Sequence, residues 1–237
     1  MEIRGYRECV ACGNRWSYYE TGELACPACG EMRSVSVEDN PKQHTATSTT
    51  LDLTDARTDI ETRPIEEIAR DAETAARCYV NRRGFIDAGE LCALDEAFLT
   101  ACELEHVAAT IHRALTIDEA EETYFLSLLQ AADAGERPET PIPDSLAPAR
   151  GLAVAEAVAR YRRELVDWLA THDTTLPVRP TLDQLHDHIK RIDALDGDID
   201  PANAERLVTA TRELATAISE SDDTALARAQ DRLESLA

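Results

Sequence analysis

The sequence predicts a mostly α-helical chain that begins with a small β ribbon. Three observations carry that expectation. Four of the seven cysteines stand in two Cys-x-x-Cys-Gly units, Cys9 to Gly13 and Cys26 to Gly30, a pairing that in a reducing compartment means metal or redox chemistry. From residue 63 onward apolar residues recur every three or four positions, the period of one helical face. Two stretches rich in polar residues or proline, 38–62 and 136–148, break the chain between these patterns.

Residues 1–37 form the expected ribbon. Trp16-Ser17-Tyr18-Tyr19 alternates like a strand, Glu20 to Glu23 supplies a turn, and Arg33 to Val37 alternates again with Val35 and Val37 on one face. Residues 38–62, with NPKQHTATSTT at their centre, are expected as a flexible Thr/Ser/Asp-rich linker.

A three-helix segment is expected over 63–135. Pro64 suits a first helical position, and Ile65, Ile68, Ala72, Ala76 and Tyr79 line one face until Gly84. Asp87 with Glu90 has the spacing of a capping box opening a long helix along Leu91, Leu94, Phe98, Cys102, Ala108, Ile111 and Leu115. Thr116 with Glu119 offers the next start, for a helix through Tyr124, Leu128 and Leu129 that ends at Gly135.

Pro138, Pro141, Pro143 and Pro148 then make an extended crossover over 136–148, and four helices are expected over 149–237. The first carries Val154, Val158, Tyr161, Leu165, Trp168 and His172. The second, capped by Thr181 with Gln184, carries Leu182, Leu185, Ile189 and Ile192. Asp200-Pro201 opens the third along Leu207, Leu214 and Ile218, and Ser221 the last along Leu226, Ala229, Leu233 and Leu236. The near-heptad spacing of these faces leads to the expectation of a protein partner or self-association through the amphipathic helices.

The formal charge is -22, from 46 acidic and 24 basic residues, of which only Lys42 and Lys190 are lysine. This acid-rich, lysine-poor composition resembles that of haloarchaeal proteins. The resemblance implies work in molar salt, where a Debye length of about 3 Å screens self-repulsion while carboxylates keep the surface hydrated. The charge is uneven: four arginines against five glutamates leave residues 1–36 at -1, so the remaining 201 residues carry -21. No apolar run approaches the roughly 18 residues of a membrane span and no secretory leader is legible, so a cytoplasmic protein without membrane contact is expected.

Cys9, Cys12, Cys26 and Cys29 are the expected metal ligands. Each Cys-x-x-Cys turn places two sulfurs on one edge of a tetrahedron, and Gly13 and Gly30 follow each second cysteine where the tight knuckle favours positive φ. On these residues and Pro27, the stretch resembles zinc ribbons of the transcription factor IIB type. It also resembles the short-spaced rubredoxin-like domains, in which a Cys-Pro-x-Cys-Gly knuckle holds iron. One structural zinc ion is the expected cofactor, since no second redox centre is legible for an iron site to serve, and iron is the alternative.

With its Thr-rich linker and acidic helices, the whole chain resembles haloarchaeal zinc-ribbon-containing proteins of uncharacterised function. In the transcription-factor family the ribbon contacts RNA polymerase, which implies a transcription-associated role, although no pair of cyclin-like repeats follows here.

Four thiolates leave no open position for a catalytic water, and no phosphate loop, dinucleotide fingerprint or nucleophile elbow occurs. No catalytic residues are therefore expected, and the chain reads as a non-enzymatic adaptor. A nucleic-acid binder is the alternative; Arg4, Arg7, Arg15, Trp16, Tyr18 and Arg33 are the residues a nucleic acid or partner would meet. Glu103-Leu-Glu-His106 has the spacing of a di-iron ligand pair, which would make a rubrerythrin-like redox protein with the knot, but a di-iron bundle needs two such motifs. Cys78, Cys92 and Cys102 are expected as buried small side chains, and His106, His112, His172, His186 and His188 as surface or cap residues.

Overall fold

The computed structural model describes residues 2–236. The fold is mostly α with a small N-terminal β region, in two compact units. The first takes in residues up to Thr49 together with Arg82–Cys92; the second takes in Thr50–Asn81 and the chain from Ala93 onward.

The first unit holds the strands β1 (Glu2–Ile3), β2 (Tyr6–Cys9), β3 (Arg15–Ser17), β4 (Ser34–Ser36), β5 (Lys42–Gln43), β6 (Ile86–Asp87) and β7 (Glu90–Leu91). One helical turn, α1 (Tyr18–Thr21), follows β3. β2 is the middle of an antiparallel sheet, flanked by β3 and β4, with Arg7 opposite both Trp16 and Ser36 and with Glu8 opposite both Arg15 and Val35. Opposed residues share a face, so Tyr6, Glu8, Arg15 and Val35 lie on one side and Arg7, Trp16 and Ser36 on the other.

Tyr18 and Tyr19 do not extend the strand. Gly22, at φ 67°, closes the turn in the left-handed region. Tyr19 Oη accepts the Gly5 amide at 3.0 Å and lies 3.0 Å from both the Ile3 carbonyl and a Glu38 carboxylate oxygen. A Cβ on Gly5 would stand 2.5 Å from that ring, so this anchor requires glycine.

Residues 38–62, expected as a flexible linker, are built into structure instead. β5 pairs with β1, the amides of Thr45 and Ala46 donate to the Ile86 carbonyl, and Leu51, Leu53 and Ala56 are buried. The division between the two units falls inside this stretch, at Thr49 and Thr50.

The spacing of Asp87 and Glu90 marks a hairpin rather than a helix start. Ala88 (φ 50°) and Gly89 (φ 92°) both take positive φ, which matches the right-handed twist of a two-residue β turn joining β6 to β7. The Cys92 amide continues the pairing to the Phe85 carbonyl at 2.7 Å.

The second unit contains α2 (Thr54–Arg57), α3 (Ile65–Arg82, whose last residue falls in the first unit), α4 (Glu96–Arg113) and α5 (Glu119–Ala131). It continues with α6 (Ala147–Leu169), α7 (Arg179–Ala194), α8 (Pro201–Glu220) and α9 (Asp223–Glu234). α6 packs on α4, α7 and α8, and α8 packs on α9. Phe98, Leu104, Tyr124, Phe125, Leu128, Val158, Tyr161 and Leu214 are all buried.

Two helix starts, of α5 and α9, sit one or two residues beyond the expected ones, at an aspartate whose side chain takes the capping role; α4 starts well beyond Asp87 because a hairpin intervenes, and α7 starts at Arg179, ahead of Thr181. Asp95 caps α4, Asp118 forms a capping box with Glu121 at α5, and Asp222 caps α9, while Ser221 closes α8 in the left-handed region. Thr181 lies inside α7, buried, where its hydroxyl accepts from Gln230 Nε2 at 3.1 Å. Leu115 falls beyond the end of α4 and is fully exposed.

Glu103 of α4 is 1% exposed yet charged partners surround it. Arg150 Nη2 lies 2.9 Å from one carboxylate oxygen, Arg137 Nε lies 2.9 Å from the other, and the Tyr124 hydroxyl donates as well. A carboxylate at such depth is tolerable only with this degree of pairing. No helix among the described residues is long and apolar enough to cross a membrane.

Candidate metal centre

Two turns with the same hydrogen bonds build the centre. In the first, Gly13 N donates to Cys9 O at 3.0 Å and Cys9 N donates to Asn14 O at 2.9 Å. In the second, Gly30 N donates to Cys26 O at 2.8 Å and Cys26 N donates to Glu31 O at 2.9 Å. Gly13 and Gly30 sit at φ 69° and 74° with open space where a Cβ would stand, so conformation and not crowding selects glycine.

β2 delivers Cys9, paired in register with Ser34 of β4. Cys9 and Cys26 are buried with Trp16 in one small cluster, while Cys12 and Cys29 are exposed.

The four sulfurs all lie within 4.8 Å of one another, with Cys9 and Cys29 3.6 Å apart and Cys12 and Cys26 3.7 Å apart. Tetrahedral zinc at a Zn–S distance of about 2.3 Å would space its sulfurs by about 3.8 Å. The donor set and its spacing therefore fit one tetrahedral thiophilic ion. The Ala11 amide reaches Cys9 Sγ at 3.4 Å and Asn14 Nδ2 reaches Cys26 Sγ at 3.8 Å, the outer hydrogen bonds that orient thiolate ligands.

The thiols also perturb one another. Burial acts to raise the Cys26 thiol, yet hydrogen bonds from the amides of Ala28 and Cys29 and from neighbouring thiols outweigh it and lower it to about 7. At Cys29 the Glu31 amide favours the thiolate, but the thiols of Cys12 and Cys9 prevail and push it up to about 12. Charge placed on one sulfur is charge withheld from the next, and a divalent cation at the centre removes that conflict.

The other expected contact residues diverge. Trp16 is buried, its Nε1 donating to the Glu23 carbonyl at 3.0 Å. Arg15 pairs with Glu8 at 2.6 Å and Arg33 with Glu31 at 3.2 Å. Arg7 Nε donates to Ser34 Oγ at 2.7 Å, Arg4 is exposed, and Tyr18 stands half-buried with its ring edge-on to His44.

The Glu-x-x-His spacing on α4 does not make a shared site. Glu103 turns to Arg137 and Arg150, whereas His106 Nε2 meets Glu156 of α6 at 3.0 Å. The hydrogen bond from His106, with Arg160 beside it, holds the Glu156 carboxyl down to about 2 against burial. Cys102 is buried as expected, and burial pushes its thiol well up, but Cys92 is half-buried and Cys78 is exposed. The histidines also have partners that the sequence did not suggest: His112 lies 3.1 Å from Glu73, and His172 stacks on Trp168.

A family model described as a family of unknown function (DUF7117) matches residues 1–233. No curated protein and no solved structure matches.

Proposed function

The chain belongs to the DUF7117 family, and from that premise we propose that it is a non-enzymatic adaptor whose N-terminal module, folded around one zinc ion, presents apolar surface to a protein partner. One observation carries the proposal. Of the nine large apolar side chains left exposed among the described residues, six lie between Tyr6 and Val37: Tyr6, Val10, Leu24, Met32, Val35 and Val37.

Grouped exposed apolar residues on an otherwise charged protein mark interaction surface. Tyr6 and Val35 share one side of the three-stranded sheet, and Val37 continues it through the hydrogen bond its amide donates to the Tyr6 carbonyl at 3.0 Å. This stretch also has the low net charge, which reduces the cost of bringing another protein surface to it.

Cys9, Cys12, Cys26 and Cys29 would hold the ion, and its contribution is structural: four thiolates close its coordination and supply the folding energy that a module of this size lacks. Iron in the same S4 set is the alternative. A transcription-associated role rests on the ribbon's resemblance to the transcription factor IIB type, and a haloarchaeal, cytoplasmic setting rests on the acidic, lysine-poor composition.

The test has two parts. Elemental analysis and a visible spectrum of protein purified in molar salt are expected to give one colourless zinc per chain; a red, iron-containing product overturns the zinc assignment. Crosslinked capture from native lysate is expected to survive nuclease and to be lost in Val35→Asp. Capture abolished by nuclease overturns the protein-adaptor reading in favour of nucleic acid.

A further inference from the structure

A cavity of about 590 Å³ opens in the N-terminal unit beside β1 and β2 and the loop after α1. That volume lies within the roughly 300–1,000 Å³ of small-ligand pockets. Its lining is asymmetric. Ile3, Leu24, Pro41 and the ring of Tyr18 give it apolar walls, while Arg4 and Arg7 bring two cations against the single carboxylate of Glu2.

Leu24 projects into solvent at 54% exposure, an unusual position for a leucine on a loop that is pinned in place. Trp16 Nε1 holds the Glu23 carbonyl on one side, and the left-handed Gly22 fixes the other. The two arginines differ from the rest of the module in the same sense. Arg15 and Arg33 are neutralised by Glu8 and Glu31. Arg7 is held only through Nε, by Ser34 Oγ at 2.7 Å, which sets the guanidinium plane and leaves its two terminal nitrogens unpaired among the described residues. Arg4 has no ion pair or hydrogen bond among the described residues.

We propose that this cavity receives an acidic peptide segment of the partner protein. One large apolar side chain enters between Ile3, Leu24 and Pro41, and a flanking carboxylate is taken by the forked guanidiniums of Arg4 and Arg7. This inference rests on the adaptor reading and names the chemistry of its partner. Charge complementarity selects the occupant: planar guanidiniums bind carboxylates in two-point fashion, and the apolar walls reward a side chain without polar atoms. A nucleotide fits less well. The walls carry few groups to meet base edges, and the one ring available for stacking already stands edge-on to His44, with centroids 6.0 Å apart.

The experiment uses the whole 237-residue chain, loaded with zinc, and fluorescence anisotropy in low and molar potassium chloride. The probes are labelled pentapeptides with one Leu, Phe or Trp among aspartates, the same peptides with asparagine for aspartate, a set with serine for the apolar residue, and a short oligothymidylate. The acidic-apolar peptides are expected to bind at least about tenfold more tightly than either control set, which is about 1.4 kcal/mol, and to weaken as salt rises. Arg4→Glu and Arg7→Glu are each expected to lose about tenfold with zinc content unchanged.

Equal binding of the asparagine peptides, indifference to both substitutions, preference for the oligothymidylate, or no binding by any probe overturns the proposal. So does concentration-dependent self-association abolished by Arg4→Glu, which assigns the cavity to a second copy of the chain. If the peptide site fails while nuclease-resistant, Val35-dependent capture persists, only the cavity assignment falls. If both fail, the adaptor reading falls with it.

Discussion

The N-terminal unit gathers Cys9, Trp16 and Cys26 into one small buried cluster, with two of its four metal-ready thiols inside that cluster, and its other buried large apolar side chains among the described residues are Phe85 and Ile86 of the hairpin segment. The helical unit buries Phe98, Tyr124, Phe125, Tyr161 and a long series of leucines, and can afford to enclose a carboxylate, Glu103, among them. The contrast follows from size. A short segment cannot bury enough apolar surface to offset its chain entropy and takes cross-links or a metal in its place, whereas a mostly helical unit of 177 residues can. The same economy leaves the small unit with apolar side chains on its outside, which is where its interaction surface is proposed.

If that contrast is sound, substitutions should separate cleanly between the units. The largest effect is expected from Cys26→Ser, which removes a buried ligand: apparent free energies of structural zinc in small modules are about 10–16 kcal/mol. Metal content should fall to zero and the amide NMR dispersion of the ribbon should vanish while the helical circular dichroism signal stays. Collapse of the helical signal as well would mean that the two units are not separately stable.

Glu103→Gln should act the other way round. It leaves Arg137 and Arg150 facing a neutral side chain at a site 1% exposed, and removing one partner of a buried ion pair costs about 3–5 kcal/mol. Urea unfolding followed by circular dichroism should shift by that amount with one metal per chain retained.

Acid should also reach the helical unit through Glu156. Its folded pKa of about 2 lies below its unfolded value of 4.5, so its contribution is fully present above about pH 4.5 and lost as pH falls towards 2. Glu156→Gln should flatten the fall in urea midpoint over that window, measured against the parent chain. A midpoint that falls equally in both would assign the acid sensitivity elsewhere.

The smallest effect is expected from Gly30→Ala. Its φ of 74° costs a residue with a Cβ about 1–2 kcal/mol, and nothing stands in the way of the added atom. Chelator competition should report roughly a tenfold loss of metal affinity, with helical stability unchanged.

How far the sequence speaks for each unit depends on the distance between the residues that cooperate. The four clustered cysteines are legible because each pair lies three residues apart and the following glycine reports the backbone of the same turn. The helical faces are legible for the same local reason. The hairpin at 86–91 is not, since Asp87 and Glu90 carry capping-box spacing and the alanine that adopts positive φ at position 88 gives no signal.

Cys78 sits one residue before the buried Tyr79, about 100° further round α3, and emerges on the exposed face; the helical period already places it off the apolar side, and the expectation of burial followed residue type instead. The Glu103 network is silent in sequence because its partners lie 21 to 47 residues away. The Leu24 cavity needs a turn, a tryptophan anchor and two strands to exist before it can be seen.

The N-terminal unit is discontinuous, closed by a hairpin drawn from Arg82–Cys92. On the ribosome this imposes an order of events. All four thiols are available once Cys29 has emerged, but Cys92 follows by 63 residues. At ~5–20 residues per second that is a delay of roughly 3 to 13 s. During that interval an early-metallated ribbon would still lack the β-pairing partner of Thr45 and Ala46. A nascent chain stalled before residue 82 is therefore the natural vehicle for asking whether metal uptake precedes closure of the unit.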